Sequence, residues 1–260
     1  MEQASWAIVS SDGPLVAASI HSGHSVRRDV VAYLAVSEDD RLREEDPFTD
    51  QWTLIAPSRI NVFKSRFEFD LNRPRERCIY LTPDDAWGLR VWNRRPSAEV
   101  IEGTLALYDA FYVDLEQLLG TLLSKHRRVV VYDLHTYNHR RLGPGRAVAD
   151  PRQNPDVNLG TGTMDRGRWS RVVDRFLSRM SDVGIEGRRL DVRENVKFRG
   201  GHFPRWIHDT FPDSVCVLSI EFKKFFMDEW TGQPDNEALD AITQALGATT
   251  EAVLEELARS

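Results

Sequence analysis

Residues 127–135 read Arg127-Arg128-Val129-Val130-Val131-Tyr132-Asp133-Leu134-His135, an apolar, β-branched run that ends on Asp-Leu-His. Such a run predicts a strand buried on both faces, as in parallel or mixed sheets. Directly before it, Val100, Leu105, Tyr108, Phe111, Leu115, Leu118 and Leu122 recur at helical spacing, so 99–125 is expected to be a helix. A helix that feeds straight into a buried strand is the repeating unit of α/β architecture.

The same alternation extends outward. Pro14 to Ile20 predicts a short apolar strand, and Ile60 to Leu71 alternates apolar and polar residues as a strand would. Ser37 followed by Glu38, Asp39 and Asp40 is a helix start. Residues 138–166, rich in Gly, Pro, Asn, Asp and Arg and without periodicity, predict a long loop at a functional site. Trp169, Val172, Val173, Phe176, Leu177 and Met180 share one helical face, and Val215 to Phe222 is a second buried strand. Asp235 opens a final helical region to Leu257, expected to break near Gly247. The expectation is one α/β domain over 1–260.

Composition narrows the function. Hydrophobic residues make up 41% of the 260 and charged residues 28%, which excludes a wholly disordered or fibrous chain. A net charge of −6, from 34 Lys+Arg against 40 Asp+Glu, argues against nucleic acid as the main partner. No apolar stretch approaches the ~18 residues that span a bilayer, so no membrane partner is expected. Met1-Glu2-Gln3-Ala4-Ser5 lacks the basic and apolar segments of a secretory signal. Cys78 and Cys216 sit far apart in apolar surroundings and read as two buried thiols of a cytoplasmic protein.

In open α/β sheets, ligands gather at the carboxyl ends of strands. Three apolar runs end on reactive side chains there: His21, His135 and Glu221. Each alone could be a satisfied strand end. Together, two imidazoles and a carboxylate are the ligand set of a catalytic zinc with one open position. Asp133 shares the strand face of His135 and is either its support or an ordinary polar strand end. His24 completes a His-x-x-His pair as a ligand or a substrate contact, and Glu44, Glu45 and Asp46 supply further carboxylates or form a solvated acidic helix end. Asn72 and Arg73 follow a strand, with Arg66 on the same segment, and they suit a carboxylate substrate unless they are surface residues.

The ordered series His21-Ser22-Gly23, Arg66-Phe67-Glu68-Phe69-Asp70-Leu71-Asn72-Arg73-Pro74, Asp133-Leu134-His135, Asn158-Leu159-Gly160-Thr161, Phe198-Arg199-Gly200-Gly201-His202 and Ile220-Glu221-Phe222-Lys223-Lys224 resembles the N-formylglutamate amidohydrolase family. The likeness runs from about residue 19 to about residue 232. It implies a mixed sheet between helices, as in the zinc carboxypeptidases and aspartoacylases. It also implies Zn2+ held by His21 and His135, with Glu221 as the carboxylate that activates the attacking water. Asn72 and Arg73 would hold the substrate carboxylate, and Arg66 would steady the oxyanion. Related carboxypeptidases place Glu where this chain has His24. N-formylglutamate amidohydrolases commonly carry a non-ligating residue there and an Asp-rich segment downstream that Glu44-Glu45-Asp46 resembles, so the resemblance implies Asp46 as third ligand, ahead of His24 and then Glu45. His202 is either a further substrate contact or a loop residue beside a glycine turn.

The function expected is a zinc-dependent amidohydrolase acting on an N-acyl amino acid or a similar small anionic substrate. The alternatives are a metallopeptidase or deacylase that uses Arg140, Arg141, Arg146 and Arg152 of the 138–166 loop, and a catalytically silent binding protein of the same fold.

Overall fold

The computed structural model describes residues 4–185 and 187–259. Met1, Glu2 and Gln3 of the stretch read for a secretory signal lie outside them. The strands of the main sheet are β1 (Trp6–Val9), β2 (Leu15–Ser19), β3 (Ser58–Val62), β4 (Val129–Tyr137), β5 (Val157–Gly160), β8 (Val192–Glu194) and β9 (Val215–Lys223), while β6 (Gly184–Ile185) and β7 (Arg188–Arg189) form a separate ribbon. The seven strands of the main sheet lie in the order β1-β3-β2-β4-β9-β5-β8. Its central strands β3, β2, β4 and β9 run parallel. Antiparallel pairing of β1 with β3 and of β5 with β9 makes the sheet mixed, as expected.

Side-chain alternation along the buried strands separates two layers. Val130, Tyr132, Cys216 and Leu218 pack on one face against α5 (Ser170–Ser181) and α7 (Asn236–Arg259). Val129, Val131, Val215 and Val217 pack on the other against α4 (Ala98–Leu123) and α6 (His202–Thr210). Cys78 and Cys216 belong to opposite layers and are unpaired. Short helices α1 (Arg28–Val31), α2 (Glu38–Glu44) and α3 (Thr49–Trp52) lie between β2 and β3. Ser37 caps α2 by accepting from the Asp40 amide at 3.0 Å, which satisfies one of the helix's free donors.

Three expectations need correction. The period-two pattern of 60–71 leaves the sheet after Val62, because the chain turns at 65–69, where the Glu68 amide bonds the Ser65 carbonyl. Phe69 and Leu71 still alternate into the α4 layer while Phe67 enters a smaller cluster with Tyr80 and Trp92. The 138–166 segment is not structureless, since it contains β5, paired with both β9 and β8. Finally, α7 continues through Gly247. A mid-helix glycine costs about 1 kcal/mol, and the burial of Leu246, Thr249 and Val253 along α7 offsets it.

Phe176 sits at the centre of the α5–α7 layer, its ring edge-on to Tyr132 at 5.5 Å. Phe176→Ala is expected to destabilise the fold by about 3–5 kcal/mol, read as a lower midpoint in urea unfolding with the slope unchanged.

Candidate active site

The carboxyl ends of β2, β4 and β9 open into a cavity of about 270 Å³. His21 follows β2, His135 lies within β4, and Glu221 stands opposite His135 in the β4–β9 register. Asp46 arrives from the other side, just past α2, and its amide bonds the His21 carbonyl at 2.9 Å. His21, Asp46 and His135 are all buried, and a ligand atom from each lies within 4.8 Å of the others.

The orientation of the rings is specific. Nδ1 of His21 is 3.3 Å and Nδ1 of His135 3.0 Å from the same Asp46 oxygen. Their Nε2 atoms face outer carboxylates, Asp70 at 2.7 Å and Asp133 at 2.8 Å. For His21, whose Nε2 is hydrogen-bonded to Asp70, a proton kept on Nε2 leaves a lone pair on Nδ1. Nδ1 of His21 is buried and accepts or donates no hydrogen bond. His135 Nδ1 is within hydrogen-bond distance of that Asp46 oxygen, and without a proton or a metal cation between them, lone pairs converging on a carboxylate oxygen repel one another. Around a tetrahedral divalent ion with bonds of ~2.0–2.1 Å, neighbouring ligand atoms lie about 3.3 Å apart. The spacing and chemistry of the three side chains therefore fit a divalent metal.

Charge supports the same reading. Burial pushes the Asp46 carboxyl up, but the two imidazoles of His135 and His21 beside it outweigh that and hold it well below the carboxylate range. Burial would lower His135, yet Asp133 and Asp46 raise it well above its ordinary value. Glu221, buried with His135 pulling down and Asp46 and Asp133 pushing up, is raised to about 8. Asp46, Asp70, Asp133 and Glu221 thus crowd four carboxyl groups around two imidazoles and Arg66, an excess of negative charge that a dication offsets.

Arg66 is held on several sides. It donates to Asp70 at 2.8 Å, to the Tyr80 hydroxyl at 3.0 Å and to the Glu44 carbonyl at 3.3 Å, and it stacks on Trp87 at 4.9 Å. Asn72 donates its backbone N–H to Asp70 at 2.7 Å, and its side-chain oxygen accepts from the Phe203 backbone N–H at 3.0 Å. That approach requires Gly201, where a Cβ would overlap the Asn72 side chain. Arg73 lines the cavity half-buried, 4.0 Å from Asp70.

Of the other residues singled out in the sequence, Glu44 and Arg141 line the cavity and several lie elsewhere. His24 does not line the cavity; its Nδ1 meets Glu45 at 2.5 Å. Glu45 is committed to that contact and to the Ser65 hydroxyl. His202 faces a separate groove with Tyr108, Tyr112 and Trp206. Of the loop arginines, Arg141 reaches the cavity, bound through both nitrogens to Glu44 at 3.0 and 2.8 Å, whereas Arg152 pairs with Asp150. Sequence reasoning misses Asp70, Lys224 and Arg199, although all three line the cavity. Asp70 opens the Asp-Leu-Asn-Arg run, and that position is the one signal that could have marked it.

The chain matches the family model for N-formylglutamate amidohydrolase over residues 13–227. No curated protein matches it. Among solved structures, it is similar to an N-formylglutamate amidohydrolase from Ralstonia eutropha JMP134, at 18% identity and a TM-score of 0.76, covering 98% of each chain. It is also similar to a gene product of Agrobacterium tumefaciens, at 17% identity and a TM-score of 0.67, covering 97% of this chain and 96% of that one.

Proposed function

We propose, because the chain belongs to the N-formylglutamate amidohydrolase family, that it is a zinc-dependent hydrolase cleaving the amide of an N-acyl amino acid or a similar carboxylate-bearing molecule. The observation that carries this reading is the convergence of His21, Asp46 and His135 beside Glu221 in one cavity with Arg66, Asn72 and Arg73.

His21, Asp46 and His135 would hold the ion, with Asp70 and Asp133 orienting the two imidazoles. A bound Zn2+ supplies Lewis acidity, acidifying a water and polarising the scissile carbonyl. Glu221 takes the proton from the attacking water and delivers it to the departing amine nitrogen. Arg66, already fixed by Asp70 and Tyr80, faces the oxygen that gains charge, so little reorganisation is needed as the charge develops. Arg73 pairs with the substrate carboxylate, and Asn72, its oxygen occupied by the Phe203 amide, offers its NH2 to the same group. The free thiols Cys78 and Cys216 suit a reducing cytoplasm, and no helix among the described residues is long and apolar enough to cross a membrane.

The test is metal analysis coupled to turnover of a panel of N-formyl and N-acetyl amino acids. The purified chain should carry one zinc, lose turnover by at least about 100-fold on chelation and regain it with added Zn2+, a ratio set by the Lewis-acid contribution. A chain without stoichiometric zinc, and without activity gained from it, overturns the reading.

A further inference from the structure

We infer that Lys224 is a positioning residue for the metal site: its ammonium clamps the carbonyls of Arg43 and Glu45 and so sets where Asp46 presents its carboxylate. The inference rests on the reading of Asp46 as a metal ligand.

Helix α2 ends at Glu44, and Glu45 turns to extended backbone, with φ −79° and ψ 175°. Asp46 is the next residue, so a small rotation at 43–45 displaces its carboxylate. The last carbonyls of a helix have no partner within it. Here side chains from distant parts of the chain supply those partners. The buried Lys224 donates to the Arg43 carbonyl at 2.6 Å and to the Glu45 carbonyl at 2.7 Å. Asn138 adds a bond to the Arg43 carbonyl at 2.9 Å, and Arg66 one to the Glu44 carbonyl at 3.3 Å.

Of these three side chains, Lys224 is the one that bridges the turn on both sides of Glu44. Its own backbone is fixed by a bond from its amide to the Tyr137 carbonyl at 3.0 Å, three residues beyond Glu221. The ammonium thereby ties the ends of β4 and β9, which carry His135 and Glu221, to the segment that carries Asp46. Lys223, its neighbour, turns away and pairs with Asp156 at 2.7 Å, so the two lysines are not interchangeable.

The sign of the effect separates this role from simple electrostatics. A positive charge lining a cation site repels the cation, so a lysine acting only through charge would hold metal away. Its removal would then tighten binding. A lysine acting through the two carbonyls does the reverse, since its removal frees Asp46 to move.

The experiment is competition titration of the metal-free full chain with Zn2+ and a chromophoric chelator, for wild type, Lys224→Met, Lys224→Gln and Asn138→Ala. Visible absorption of the Co2+-loaded forms reports ligand geometry, and circular dichroism of the metal-free forms verifies folding. Lys224→Met is expected to weaken Zn2+ binding about 10–100-fold, the range seen when a partner that orients a ligand is lost, and to alter the Co2+ spectrum. Lys224→Gln, which keeps a donor for one carbonyl, should fall between it and wild type and serves where Lys224→Met does not fold. Asn138→Ala leaves the Glu45 contact intact and should cost less than Lys224→Met. Unchanged or tighter binding in the lysine variants, with an unaltered Co2+ spectrum, overturns the inference while leaving the metal reading standing. A wild-type chain that takes up no metal removes both.

Discussion

Glu221→Gln is expected to lower kcat by about 10²–10⁴-fold, the range contributed by a positioned proton-transfer group, while zinc content stays at one per chain. The substitution is nearly isosteric, and Glu221 sits within β9 with His135 beside it on β4 and Asn158 beside it on β5. The backbone therefore gives the amide no new position to occupy. What disappears is the acceptor that takes a proton from water and returns it to the leaving nitrogen. Burial raises Glu221 to about 8, and a dication beside it would draw that value down toward the carboxylate that accepts a proton. Metal analysis, kcat on the best N-acyl amino acid and binding of that substrate to the variant check the assignment together. Loss of turnover with binding retained supports it. A variant within tenfold of wild type places the proton transfer elsewhere, and a wild type that binds the substrate but never turns it over favours a silent binding protein.

The elements legible in the sequence are those long enough for one pattern to show. β4 and β9 each open on an apolar run of four residues or more, and α4 carries its pattern through 26 residues, so one pattern dominates each. β5 escapes because Val157-Asn158-Leu159-Gly160 is four residues long and includes Asn and Gly. Its place between β9 and β8 makes it a strand, which local propensity does not register. In 60–71 the reverse holds: apolar and polar residues do alternate, but Glu68 and Asp70 are buried too and two different clusters receive the apolar side chains.

The same distinction applies to the site. His21, His135 and Glu221 are readable because strand ends in such sheets converge by topology. Sequence can rank Asp46 among the carboxylates of 44–46 without fixing where it points, since its position depends on Lys224, which is 181 residues from Arg43 and 179 from Glu45. Lys224 itself looks like any lysine after a strand. Asp70 is hidden for a related reason: its importance lies in the number of groups it satisfies, and no spacing in the sequence encodes that.

Asp70→Ala should therefore damage both stability and metal binding. One oxygen of the buried carboxylate faces His21 at 2.7 Å and accepts from the Asn72 amide at 2.7 Å. The other accepts from Arg66 at 2.8 Å and from the Tyr80 hydroxyl. Burial pushes Asp70 up, yet Arg66 and His21 hold it well below the carboxylate range, so it is charged at neutral pH. Removing it strands the Arg66 guanidinium without its counter-charge, a loss of about 3–5 kcal/mol for a broken buried pair, visible in urea unfolding of the metal-free chain. It also frees the His21 ring, so Zn2+ affinity should fall about 10–100-fold. The double variant Asp70→Ala/Arg66→Met separates the two effects. Deleting the stranded cation should restore part of the stability, because a buried pair replaced by apolar groups is often tolerated. It should restore none of the metal affinity, because His21 still lacks the acceptor at Nε2. Recovery of both together would mean that Asp70 matters only as the counter-charge of Arg66, and an unchanged Asp70→Ala would remove it from the site altogether.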